Sequence, residues 1–200
     1  MAARARFPFD ERRRRLLEIG LAAFSSRPYD EVSMDQLAAA AGVSKGLLYH
    51  YFPTKRDFYR EVLVAAVEDM RRLTEPDPAL PPPEQLRMGL TAFLDYARDH
   101  AAGFSALLRG GIGSDPEIAR VVADFRRAVL ERVLRALGVV GPGPELQLAL
   151  RAWLGFAEAA ALVWVEEGGV DRDLVGRLIA RALHAALREV AVPMPVEDWY

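Results

Sequence analysis

At 200 residues the chain suits one large domain or two small ones, and its 52% hydrophobic and 27% charged side chains are those of a globular rather than a disordered protein. The absence of cysteine excludes disulfides, thiolate metal sites and cysteine redox sensing. A net charge of −2 argues against a polyanionic partner only until its distribution is read: residues 1–60 carry 11 basic against 7 acidic side chains, and the remainder 15 against 21.

The predicted elements are helical throughout, with no period-2 strand run. Asp10 can cap a first helix that carries Leu17, Gly20, Leu21 and Phe24 on one face and ends near Arg27-Pro28. Ser33-Met-Asp-Gln36 is a capping-box pattern opening a short second helix, whose Met34, Leu37, Ala38 and Ala41 follow the i, i+3, i+4, i+7 rule. Gly42 supplies a tight turn, Ser44 caps a third helix, and Pro53 ends it. Thr54 starts a fourth helix that runs with Phe58, Val62, Ala65 and Val67 to about Leu73. The proline-rich stretch from Glu75 to Pro83 is read as a non-helical joint. Beyond it helices are expected at roughly 84–101, 103–110, 116–137, 144–167 and 171–190, broken chiefly at Gly110–Pro116 and Gly138–Pro144, with Pro193–Tyr200 as a tail. The expected architecture is all-α with about nine helices. No run of eighteen apolar residues or secretory h-region is present, so no membrane partner and a cytoplasmic protein are expected.

Residues 33–52 read as a helix-turn-helix, in which a short helix enters the major groove while its predecessor braces it across the backbone. Small residues at Ala38–Ala41 allow close approach of the two helices, and Leu48 and Phe52 should pack inward. Lys45, Leu47, Tyr49 and Tyr51 then face outward or flank the groove. The two lysines of the chain, Lys45 and Lys55, flank this third helix. Arg12 to Arg15 could add phosphate contacts, although a charge run on an amphipathic helix is usually a solvated face.

The run Ser33-Met-Asp-Gln-Leu-Ala-Ala-Ala-Ala-Gly-Val-Ser-Lys-Gly-Leu-Leu-Tyr-His-Tyr-Phe-Pro-Thr-Lys-Arg-Asp-Phe resembles the DNA-binding signature of the TetR family of repressors, over about residues 10–70. The resemblance implies a DNA-binding domain at 8–68 and a helical ligand-binding and dimerisation domain at 84–190. It implies that Lys45, Gly46 and Leu47 lie nearest the bases, that Tyr49 and Tyr51 bond phosphates, and that Lys55 clamps a phosphate at the start of the fourth helix. Ser33 and Ser44, at helix N-termini, would contact phosphate as well, and His50 is divided between contact and packing. Leu47 departs from the pattern, since leucine can read a thymine methyl but cannot bond a base edge.

The implied partners are double-stranded operator DNA, a second copy of the chain and a small hydrophobic effector, with no cofactor. Phe93, Tyr96, Phe104 and Trp153 are the candidate cavity wall, within an aromatic set that is mostly core. Glu158 interrupts an apolar stretch and has two readings: a structural pair with an arginine, such as Arg151 across a dimer axis, or the polar anchor of an effector. Leu174, Leu178 and Ala182 beside Val175, Ile179 and Leu183 give the last helix two apolar rows, wider than one monomer needs. Gly155, Ala157, Ala159, Ala160 and Ala161 offer a surface for close helix approach.

An enzyme is not expected. His50, His100 and His184 have no partner at metal-site spacing, Gly110-Gly-Ile-Gly-Ser lacks a preceding strand and a phosphate-loop ending, and no Ser/His/Asp order stands out. The alternatives are a helix-turn-helix protein with an architectural or protein-partner role and no inducer, and a helical hydrolase or carrier with a coincidental front end.

Overall fold

The computed structural model describes residues 9–109 and 116–190, and within them the chain forms nine α-helices and no strand. These are α1 Phe9–Phe24, α2 Met34–Ala40, α3 Lys45–Tyr51, α4 Lys55–Leu73, α5 Pro82–Asp99, α6 Ala101–Arg109, α7 Pro116–Ala136, α8 Pro144–Glu167 and α9 Arg172–Glu189, with one 3-10 turn at Tyr29–Glu31 that the sequence pattern did not signal. Most of the break at Gly110–Pro116 and the tail at Pro193–Tyr200 lie outside the described residues.

Local chemistry sets the boundaries. Ser44, Thr54 and Asp171 each accept a backbone N–H in the first turn of α3, α4 and α9, satisfying donors that have no intrahelical partner. Three expectations need correction. α1 already begins at Phe9, so Asp10 lies inside its first turn rather than capping it. Ser33 caps α2 by accepting from the Asp35 N–H, but Gln36 does not reciprocate and instead accepts from Arg27 at 3.0 Å; at α4 the Thr54 hydroxyl accepts from the Asp57 N–H and donates to the Asp57 carboxylate at 2.7 Å. Pro82 and Pro83 belong to α5, because the first helical positions need no N–H and suit a fixed φ.

Three apolar clusters fill the molecule. The front cluster joins α1 to α4 through Leu16, Phe24, Leu37, Leu48, Phe52, Phe58 and Val62. The rear cluster joins α5, α6, α8 and α9 through Leu94, Phe104, Leu150, Trp153, Ile179 and Leu183. Between them Ala66, Val67 and Met70 of α4 pack on Tyr96 of α5 and Phe125 of α7. Among the described residues α8 alone has the length and apolar composition of a membrane span. Here it is a core helix, with Leu150, Trp153, Ala157 and Ala161 buried against its neighbours.

The α1–α4 contact depends on Gly20. A Cβ there would stand 2.5 Å from the Phe58 ring and 2.6 Å from a Val62 methyl, both fully buried, so neither can give way cheaply. Gly20→Ala should therefore cost about 1–3 kcal/mol of stability, despite alanine's better helix propensity, as read from the urea midpoint at unchanged slope.

Candidate DNA interface and effector cavity

The turn between α2 and α3 is built on Gly42, at φ 66°, with its N–H bonded to Ala39 O and the Val43 N–H to Ala38 O, each at 3.0 Å. Seven residues are too few for a self-supporting helix, so α3 is held by packing: Leu48 and the following Phe52 are fully buried in the front cluster. Both therefore face inward, as the sequence indicates. Lys45, Gly46, Tyr49 and His50 are exposed, and Leu47 and Tyr51 are half-buried. His50 meets Tyr51 edge-on, with ring centroids 6.0 Å apart.

Charges around this surface are already organised. Lys45 Nζ donates to Asp35 on α2 at 3.0 Å, and that bond holds the ammonium above its ordinary pKa and ties the two helices. Lys55 Nζ sits 4.4 Å from the Tyr29 ring centre and 3.4 Å from Asp30 O, at the start of α4. The Ser33 and Ser44 hydroxyls accept from the Asp35 and Leu47 N–H groups, which leaves each O–H proton available to a phosphate. Of the arginine run, Arg13 pairs with Glu61 and lies over the Phe52 ring, while Arg14 pairs with Glu18 at 2.9 Å. Those two serve the fold.

In the rear, α5, α7 and α8 line a cleft of about 120 Å³. Phe93, Trp153 and Glu158 line it; Tyr96 and Phe104 line a smaller crevice between α4, α5 and α6. Tyr96 donates its hydroxyl to Ala66 O at 3.0 Å, stacks on His100 at 4.1 Å, and is pushed above its ordinary pKa by burial. Phe104 supports Phe93 edge-on at 5.7 Å. Trp153 spends its N–H on Ile179 O at 2.9 Å, leaving its ring as apolar wall.

Within the chain Glu158 finds its arginine on α7. Arg126 of α7 reaches it in the same chain with two parallel bonds of 2.7 Å, Nε to Oε1 and Nη2 to Oε2. The α7–α8 contact brings Arg126 directly across from Glu158. The bond to Glu158 raises the Arg126 pKa further above an already high value.

Sequence reading missed the α7 wall and the mouth. Phe125, Val129, Val133 and Ala136 form one helical face, and Arg132 stands among them. Its Nη1 donates to the Thr74 carbonyl at 2.8 Å and meets the Thr74 hydroxyl at 3.3 Å, at the C-cap of α4. Desolvation lowers the Arg132 pKa from its ordinary value. The signal was available: an arginine inside a five-residue apolar face.

On the outer side, Leu148, Phe156 and Val163 of α8 and Leu174 and Leu178 of α9 are exposed, while Val175, Ile179 and Leu183 are buried. Gly155 and Ala159 share this open face, whereas Ala157 and Ala161 turn into the core.

Comparison with known proteins agrees with this architecture. Residues 16–62 match the family model "Bacterial regulatory proteins, tetR family", and residues 82–186 match "Tetracyclin repressor-like, C-terminal domain". The chain is 32% identical over 135 residues to the HTH-type transcriptional activator FasR of Mycolicibacterium smegmatis, a stretch covering 64% of this chain and only 59% of that relative. It is 31% identical over 188 residues to the HTH-type transcriptional repressor DhaR of a Mycobacterium species, covering 92% and 83% of the two chains. The crystal structure of a TetR-family regulator from Streptomyces coelicolor superposes with a TM-score of 0.83 at 31% identity, covering 96% and 93%. With both of its halves matched, the chain belongs to the TetR family of bacterial transcriptional regulators.

Proposed function

We propose that the chain is a cytoplasmic, ligand-responsive repressor that binds a palindromic operator in double-stranded DNA as a homodimer. The observation that carries the DNA reading is Gly46. A Cβ there would meet nothing within 4 Å, so neither packing nor backbone conformation requires glycine, and glycine inside a helix costs about 1 kcal/mol relative to alanine. Its use lies outside the molecule, where the missing side chain lets the tip of α3 approach a groove floor. Lys45 beside it exchanges Asp35 for a guanine edge, and Leu47 offers a thymine methyl an apolar contact. Tyr49, Tyr51, His50, Lys55 and the two cap serines surround that tip and meet the phosphates.

The open apolar face of α8 and α9 supports the dimer. Leu148, Phe156 and Val163 with Leu174 and Leu178 make a stripe along two adjacent helices, and Gly155 and Ala159 lie low enough for a partner helix to seat. Two copies joined there form a four-helix bundle that presents two α3 helices to successive major grooves. The cleft behind α4 supports an effector, since it is concave, apolar and next to the helix that carries Lys55.

Three outcomes are expected. On a site selected from random DNA, affinity falls linearly with salt on a log–log plot, and Lys55→Ala weakens all sequences alike and reduces the slope by about one, whereas Lys45→Ala costs more on the selected site than on scrambled DNA. A half-site bound as tightly as the full site at equal salt would sink the dimeric reading.

Gly46→Ala should raise the unfolding free energy by up to ~1 kcal/mol while weakening binding to the selected site; tighter binding would remove the argument from close approach. Leu178→Glu should leave the subunit's helical content intact but shift it to a monomer in sedimentation and abolish full-site binding. A dimer that survived the charge would place the interface elsewhere.

A further inference from the structure

Arg132 is the charged group that DNA binding leaves without a use. It projects from α7 between Val129 and Val133 on the wall of the apolar cleft, with its side chain only 12% exposed. One terminal nitrogen is engaged at Thr74, and the other stands 3.6 Å from Glu75 Oε2, beyond hydrogen-bonding distance. A guanidinium offers five donors in a planar fork matched to a carboxylate, and here the carboxylate beside it, Glu75, makes a loose ion pair at 3.6 Å rather than two short parallel bonds. The other charge on the cavity wall, Glu158, is already compensated, because Arg126 holds both of its oxygens. The cleft therefore presents to an occupant apolar walls and, beside Thr74, one guanidinium whose ion pair with Glu75 is loose.

We propose that this cleft takes an amphiphile with an anionic head, whose carboxylate or like group closes the fork of Arg132 while its hydrocarbon tail lies against Leu86, Phe93 and Trp153. The proposal rests on the effector reading above and gives that effector its chemistry. It also replaces the cationic ligand that an unpaired Glu158 would have favoured. The same guanidinium caps the C-terminus of α4, where a cation is favoured by the helix dipole and the polar Thr74 is buried. A bound anion competes for that cation, so the head group loosens the last turn of the helix whose first turn carries Lys55. Ligand and DNA surface are thus coupled through the two ends of one helix.

The test is calorimetric titration of the full-length chain with decanoate, decanol and decyltrimethylammonium below their micellar concentrations, with amide exchange followed over residues 71–75. Decanoate is expected to bind one per subunit at least tenfold more tightly than decanol, and to speed exchange at the end of α4. Arg132→Gln should bring decanoate down to the affinity of decanol and abolish the exchange response, and Arg132→Lys should keep part of the preference. If decanol equals decanoate, or the cation binds best, the anionic head is wrong and the effector cavity stands. If none of the three binds, the effector reading itself falls and this proposal with it. If Arg132→Gln does not fold, Arg132→Lys decides: decanoate affinity and exchange both unchanged from the wild type would overturn the role of the fork.

Discussion

Everything in this molecule depends on α4 belonging to two cores at once. Its first half, through Phe58, Val62 and Leu63, closes the front cluster, and its second half, through Ala66, Val67 and Met70, packs on Tyr96 and Phe125. At 1.5 Å per residue its 19 residues span about 28 Å, a stiff rod fixed at both ends. The Tyr96 hydroxyl bonded to Ala66 O pins its middle, and Arg132 on Thr74 pins its end. Bending such a rod is costly, which holds the start of α4, beside α3, in a fixed relation to the rear core.

The front needs that rigidity because α3 has no stability of its own. Leu48 and Phe52 anchor it, and Asp35 steers Lys45 from the neighbouring helix before any DNA arrives. The Lys45–Asp35 pair is fully in water, where ion pairs contribute little, so releasing Lys45 from Asp35 costs little too. The side chains that carry no packing are thereby left free to be chosen for DNA, and a glycine at the tip is tolerable only because the anchors compensate for its poor helix propensity.

How legible this was in the sequence follows from the range of each interaction. The front half could be read because its determinants are local: Ser44 and Thr54 as caps, Gly42 in the left-handed turn, Leu48 and Phe52 one turn apart. The two rows of α9 were legible for the same reason, and the structure buries Val175, Ile179 and Leu183 while leaving Leu174 and Leu178 open. The cavity was only half legible. Phe93 and Tyr96 are three residues apart on α5, yet Phe93 faces the cleft and Tyr96 faces α4, a distinction set by where α4 and α7 pack. The partner of Glu158 depended on the α7–α8 register, and periodicity along α8 could not supply it. Arg132 was hidden by its type, since an arginine on a helix is taken for surface until a neighbouring helix covers it.

The distribution of ion pairs sets Arg126 and Arg132 apart from the other arginines. Most charged pairs here are short-range and exposed, as in Arg71–Glu68, Arg72–Asp69, Arg87–Glu84 and Arg127–Asp124, each i to i+3 on one helix. Such pairs contribute between nothing and about 1 kcal/mol apiece and serve solubility more than stability. Arg126–Glu158 and Arg132–Thr74 differ because each links α7 to another helix, and at Arg132, on the cleft wall, desolvation opposes the charge. Stability alone gives no reason to place guanidinium groups there. In Arg126 the charge is spent on Glu158, which leaves that wall electrically neutral. In Arg132 it is met by a carbonyl, a hydroxyl and one loose ion pair at 3.6 Å to the half-exposed Glu75, so an incoming anion that bonds the guanidinium directly improves on what the protein supplies.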